Sequence, residues 1–235
     1  MKHSFVDMNL EQMLQYSAAI ERVYPISRHV NPGVYAALIK RPLDIVLAIV
    51  MLPVILPIIA VLYLLVQRDG GAGFFGHVRV GRDGKPFKCW KMRSMEIDAE
   101  SKLSSFLAAN PVAAAEWARD HKLINDPRIT KIGRFLRKSS LDELPQIWNV
   151  LKGEMSFVGP RPVVSDELNR YGASKWAYLQ ARPGITGLWQ VSGRNDVSYC
   201  ERVAMDVRYS EDMRFGRDLW IITKTASAVV NSTGK

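Results

Sequence analysis

The chain has 235 residues, 48% apolar and 23% charged, with a formal net charge of +9. That length buries a real core in one or two domains, and the basic balance favours an anionic partner such as a lipid surface or a phosphorylated substrate. Nucleic acid is disfavoured, because no zinc spacing and no DNA- or RNA-binding signature occurs; Cys89 and Cys200 lack metal-ligand spacing and read as reduced thiols, not a disulfide framework.

Residues 1–40 carry Asp7, Glu11 and Glu21 and no apolar stretch of signal-peptide length, so they read as a lead-in with a short helix around Leu10 to Ile20. Ile45 to Val66 is free of charge. As a helix it would extend about 33 Å, against a bilayer core of about 30 Å. Pro53 and Pro57 each remove a backbone donor, which predicts a bend in its middle. The flanks hold Arg28, Lys40 and Arg41 on one side and Arg68, Arg79, Arg82 and Lys85 on the other, giving no charge asymmetry. A single spanning helix is one reading of this segment, since proline kinks occur in spanning helices too; a helix that enters one leaflet and returns to the same side satisfies both observations.

A glycine-rich exit loop follows at 67–76, and alternation from His77 to Met95 around Asp83-Gly84 predicts a two-stranded hairpin. Its second strand carries Lys88 and Lys91. Asp98 to Lys122 is helical in composition, interrupted at Asn110-Pro111; Ile129, Ile132, Phe135 and Leu136 form an apolar stripe on a basic helix. Further helices are expected near 145–152, 162–181, 196–211 and 216–231.

The chemistry concentrates between Arg137 and Pro162. Asp142 and Glu143 stand between a basic group that includes Arg137 and the proline-flanked Arg161. Carboxylates among guanidinium groups suit a metal ion and a phosphate: one carboxylate attacks, the other holds metal. Ser140-Leu141-Asp142-Glu143 also fits a helix capping box. Pro145 opposes that reading, because a proline so soon after the cap clashes with the first turn; a helix starting at Pro145 fits better. A third constellation, Arg182 to Asn195, combines glycines, Trp189, Arg182 and Arg194, and offers a stacking face beside charge.

KRPLDIVLA, FKCWKMRSM, NDPRITKIGRFLRKSSLDELPQIWNVLKGEMSFVGPRP and RPGITGLWQVSGRN together make the chain resemble the monotopic bacterial sugar transferases, the polyprenyl-phosphate phosphoglycosyl transferases. The resemblance runs from about Lys40 to the C-terminus and is to the short exopolysaccharide-type members. It implies an α+β, mostly helical fold. Residues 1–40 would be a lead-in, 41–67 a re-entrant membrane helix broken near Pro57, and 68–235 one compact cytoplasmic catalytic domain with short strands and amphipathic interface helices. The implied reaction moves a hexose-1-phosphate, galactose or glucose, from a UDP-sugar to undecaprenyl phosphate at the cytoplasmic face of the bacterial inner membrane, releasing UMP. Asp142 would be the nucleophile and, with Glu143, hold Mg²⁺. Arg137 and Arg161 would bind phosphate or nucleotide, with Lys88, Lys91, Arg182 and Arg194 as further substrate contacts. Inner-membrane lipid is an implied partner, nucleic acid is not, and self-association into a homo-oligomer stays open. Two alternatives compete: a non-catalytic membrane scaffold for polysaccharide assembly, and direct transfer with Asp142 acting only as metal ligand. One departure stands out, since family members often carry Ser before the kinking proline and this chain has Leu56.

Overall fold

The computed structural model describes residues 33–120, 123–193 and 197–230. The expected lead-in helix at Leu10 to Ile20 therefore lies outside the described residues. One long apolar helix, α1 (Lys40–Val66), follows a short π-helical turn at Tyr35–Ile39. Its length is enough to cross a membrane. The sequence predicted a break near Pro57, and here the structure differs: α1 is one continuous helix through Pro53 and Pro57. Both prolines are exposed, a turn apart, so the carbonyls they free share one side of the helix. The opposite side is held along its length. Ala48, Leu52, Ile55, Ile59, Leu62 and Val66 recur at alternating steps of four and three and pack into the main core with Met92, Leu136, Ile147 and Val150.

Both ends of α1 bind the same domain. At the start, Arg41 Nη1 and Nη2 donate to the carbonyls of Val150 and Leu151 at 2.6 and 2.9 Å, and Asp44 Oδ1 accepts from the Phe157 amide at 3.1 Å. Lys40 Nζ pairs with buried Asp218 at 2.5 Å, which also accepts from the Tyr35 and Tyr209 hydroxyls. At the far end, Arg93 Nη2 donates to the Val66 carbonyl at 2.9 Å and pairs with Asp69. The remaining surface of α1 exposes Val46, Ile49, Val50, Val54, Leu56, Val61 and Leu64.

The hairpin forms as expected: β1 (Phe74–Val80) pairs antiparallel with β2 (Pro86–Met92) across a turn in which Asp83 and Gly84 both adopt positive φ. Helices α2 (Ala99–Ala109) and α3 (Pro111–Asp120) meet at Asn110, where the proline was expected to interrupt them. Then come α4 (Lys131–Ser139) and α5 (Gln146–Lys152). The single helix anticipated over 162–181 is instead α6 (Ser165–Asn169), a 3₁₀ turn and α7 (Lys175–Gln180). Two short strands that local pattern did not reveal, β3 (Ser156–Val158) and β4 (Gly184–Thr186), pair in parallel. Their backbones meet so closely that a Cβ on Gly184 would lie 2.1 Å from the Gly159 amide nitrogen. Helices α8 (Leu188–Ser192), α9 (Tyr199–Glu211) and α10 (Phe215–Val230) complete the described chain.

Candidate active site

The site begins with the two faces of the hairpin. The register sets Phe75 opposite Lys91, His77 opposite Cys89 and Arg79 opposite Phe87, and period-two alternation puts these six side chains on one face. Asn149, fully buried on α5, fastens this strand pair. Its Oδ1 accepts from the Trp90 amide at 3.1 Å, and its Nδ2 donates to the Lys88 carbonyl at 2.7 Å. The carboxamide thus occupies the outer edge of β2 much as another strand would, and fixes the backbone on either side of Cys89.

The acidic pair is delivered by α4 and the turn after it. Thr130 caps α4, its hydroxyl oxygen accepting from the Gly133 amide at 2.9 Å. Gly133 has to be glycine here, because a Cβ would lie 1.9 Å from the Ser94 carbonyl oxygen. That close approach lets Arg137 Nε donate to the Ser94 hydroxyl at 2.8 Å. Ser140 then takes a left-handed conformation, φ 57°, and turns the chain into a 3₁₀ turn at Leu141–Glu143. Its side chain makes no capping hydrogen bond, so the capping-box reading fails; α5 begins after Pro145, as that proline required.

Lys91 Nζ stands 2.6 Å from Glu143 Oε1 and 3.9 Å from Asp142 Oδ2. Asp142 is 8% exposed. Burial raises its pKa above the ordinary carboxylate value and the Glu143 charge adds to this, while Lys91 and Arg137 oppose it. Glu143 moves the other way. Burial acts to raise it, but the combined charges of Lys91, Arg161 and Arg79 prevail and hold it below the usual range. Two neighbouring carboxylates are thereby pushed apart in basicity, the pattern expected where they carry different roles.

Asp142, Glu143, Lys91, Arg137 and Arg161 all line one cleft of about 2020 Å³. Its wall on one side is apolar: Leu47, Met51 and Ile55 come from α1, with Phe135 and Ile147 beside them. Trp189 and Gln190 of α8 border it elsewhere, and the Arg202 guanidinium lies over the Trp189 ring at 4.7 Å. A charged centre therefore opens directly along the apolar helix.

Three sequence expectations need correction or fall outside this picture. Lys88 points to the opposite face of β2 from Lys91, because the two are an odd number of residues apart, and it does not line the cleft. Arg182 is also elsewhere: its Nε donates to the Gly153 carbonyl at 3.0 Å, stabilising the end of α5. Arg194 lies outside the described residues. In exchange, His77 and Arg79 belong to the cleft. Strand alternation linked them to Lys91, but nothing local said which face was functional.

Among the described residues no cluster of three or more Asp, Glu, His or Cys forms a closed metal cage. Two hard carboxylates nevertheless fit Mg²⁺, which binds through one or two carboxylates and completes its shell with water and substrate phosphate. The residues that fit it are Asp142 and Glu143.

Residues 35–232 match the protein family described as bacterial sugar transferase. The chain is 54% identical over 196 residues to the undecaprenyl-phosphate galactose phosphotransferase of Salmonella typhimurium and 53% identical over 196 residues to the UDP-galactose-lipid carrier transferase of Erwinia amylovora. Each match covers 83% of this chain and 41% of the relative, so the chain spans less than half the length of these two proteins. The exopolysaccharide production protein ExoY of Rhizobium meliloti is 50% identical over 196 residues, 83% of this chain and 87% of that protein.

Proposed function

The chain belongs to the bacterial sugar transferase family, and from that premise we propose that it moves a hexose-1-phosphate from a UDP-sugar to undecaprenyl phosphate. The observation that carries this reading is the placement of Asp142: a buried carboxylate among Lys91, Arg137 and Arg161, in a cleft walled by the apolar helix α1. A charged donor enters from water and a lipid acceptor from the membrane, and this cleft offers a surface to each. The galactose in the names of two relatives supports galactose as the sugar, ahead of glucose.

Asp142 attacks the phosphorus that bears the sugar. The bond from that phosphorus to the UMP oxygen breaks, and UMP leaves with the electron pair. An oxygen of the lipid phosphate then attacks the aspartyl sugar-phosphate, restoring the Asp142 carboxylate and giving the polyprenyl-diphosphate sugar. Covalent catalysis of this kind splits one transfer into two and predicts ping-pong kinetics. Desolvation raises the basicity of Asp142, which suits a nucleophile, whereas Glu143 stays ionised beside Lys91. Arg137, fixed by Ser94, and Arg161, between two prolines, present guanidinium groups to phosphate oxygens. Bound Mg²⁺, held by Asp142 and Glu143, would supply further charge neutralisation on the phosphates.

The membrane reading follows from α1. A helix crossing a bilayer takes its two ends to opposite faces, yet both ends of α1 bond to one domain. This supports a monotopic arrangement in the bacterial inner membrane. The exposed apolar side of α1 is immersed in one leaflet, with the domain on the cytoplasmic face.

The test is UMP release from a panel of UDP-sugars with undecaprenyl phosphate and Mg²⁺, comparing wild type with Asp142→Asn. Release by wild type that is absent in the variant, with sugar-phosphate trapped on Asp142 in single turnover, is the expected result. Substantial release by Asp142→Asn would remove the aspartyl intermediate. Failure with every donor, from folded protein in a lipid mimic, would overturn the transferase.

A further inference from the structure

We propose that His77 is a donor-specificity residue, its imidazole Nε2 accepting a hydrogen bond from a hydroxyl of the transferred sugar. The inference rests on the transferase reading above and deepens it by naming a group that reads the sugar.

His77 lies on the cleft face of β1, opposite Cys89 and diagonal to Lys91. Diagonal neighbours on one face of an antiparallel pair are about 7–8 Å apart. Lys91 in turn reaches to 3.9 Å from Asp142. His77 thus shares a strand face with the lysine that reaches the attacking carboxylate, and both line the cleft that receives the sugar on that phosphorus.

The ring has one available role. His77 Nδ1 lies 3.0 Å from the Val78 carbonyl oxygen. A carbonyl only accepts, so Nδ1 carries the proton and Nε2 of the neutral ring keeps its lone pair. Burial first, then the charges of Arg79 and Lys91, keep the ring neutral by lowering its pKa. The opposing Cys89 is a protonated thiol, its pKa pushed up to about 11 by burial, and adds no charge. Arg79, Lys91, Arg137 and Arg161 line the same cleft and, as donors, suit phosphate oxygens. An acceptor lone pair among them repels a phosphate oxygen and matches an O–H or N–H of the substrate. Three kinds of such group exist in a UDP-sugar: the hydroxyls of the transferred sugar, the ribose hydroxyls and the imide N–H of uracil. The strand face that His77 shares with Lys91, the lysine that reaches Asp142, favours the transferred sugar. Sites that bond a substrate hydroxyl discriminate strongly against donors that misplace it, since the buried acceptor is then left unpaired.

The experiment measures kcat/KM for UMP release with UDP-galactose, UDP-glucose and UDP-N-acetylglucosamine, and the inhibition constant of UDP, which carries uracil, ribose and both phosphates but no transferred hexose. Wild type, His77→Ala and His77→Gln are compared, the glutamine offering a replacement acceptor. His77→Ala is expected to lose about 10–100-fold in kcat/KM for the preferred donor and to compress the ratio between the two hexose epimers to within about threefold. UDP inhibition should stay within about twofold of wild type, and His77→Gln should recover part of the preference. An equal loss for all donors, or an unchanged epimer ratio in both variants, overturns the inference. A parallel weakening of UDP inhibition also overturns it and assigns His77 to the nucleotide. Wild type inert toward every UDP-sugar would instead sink the transferase reading, and this inference with it.

Discussion

Replacing Asn149 by Ala removes the bond that holds β2 from outside. The side chain makes three hydrogen bonds: with the Trp90 amide, the Lys88 carbonyl and, at 2.7 Å, Glu154 Oε2. Each is worth roughly 0.5–1.5 kcal/mol net, and stranding a buried donor or acceptor adds roughly 1–3 kcal/mol. The expected destabilisation is therefore about 3–5 kcal/mol, a large share of the roughly 5–15 kcal/mol available to a folded domain. Asn149→Asp should be at least as damaging, because a carboxylate cannot donate to the Lys88 carbonyl and repels Glu154. Urea unfolding of the protein in nanodiscs reads the stability. UMP release below the transition reads whether Lys91, one residue beyond Trp90, has lost its position: kcat should fall about tenfold or more in the fraction that remains folded, with KM for the donor changing less. A loss under about 1 kcal/mol with unchanged kcat would refute the argument that this carboxamide fixes the strand carrying Lys91.

Lys91→Ala removes the cation 2.6 Å from Glu143, and kcat/KM should fall about 10–100-fold, with Lys91→Arg recovering part of it; equal activity in all three would dismiss the pair. Asp206 is buried, accepts from the Tyr171 hydroxyl at 2.7 Å and has its pKa pushed up to about 7 by burial, with the Glu167 charge adding and the Tyr171 bond opposing. Protonation in the folded state alone makes its contribution complete below about pH 4 and lost as pH rises through about 7, a slope of about −1.4 kcal/mol per pH unit in that window. Asp206→Asn should flatten that slope in unfolding midpoints taken from pH 5 to 8, and parallel curves for the two proteins would count against it. For α1, single thiols placed at Val34 and Arg68 in a Cys89→Ser, Cys200→Ser background should both react with an impermeant maleimide in inside-out vesicles and neither in right-side-out cells. Opposite labelling of the two would mean a spanning helix.

Much of the framework was legible because its determinants are local. Asp83-Gly84 marked the hairpin turn, Asn110-Pro111 the break between α2 and α3, and Pro145 the start of α5. Asp142, Glu143, Lys91, Arg137 and Arg161 were visible as chemistry and do converge. What escaped depends on long-range geometry. The parallel strands β3 and β4 are three residues each, too short to alternate visibly, and the partners are separated by α6 and α7. Asn149 reaches across about sixty residues of sequence to β2. Lys88 and Lys91 look alike in composition, and the two-residue period separates them only once the hairpin's buried face is known.

The prolines of α1 show how packing outweighs a local signal. Each costs a backbone hydrogen bond and predicts a kink. The stripe from Ala48 to Val66 secures the helix to the domain, and Arg41, Asp44 and Arg93 fasten its ends, so the free carbonyls are tolerated within one continuous helix. The same anchoring has a consequence for chemistry. Leu47, Met51 and Ile55 are held against the cleft that contains Asp142, while Val46, Val50 and Val54 face outward. A helix that merely tethered the domain to a membrane would have no reason to wall the cleft that holds Asp142. On the proposed function, the apolar side of α1 is then continuous with the wall along which a lipid-borne phosphate would reach Asp142.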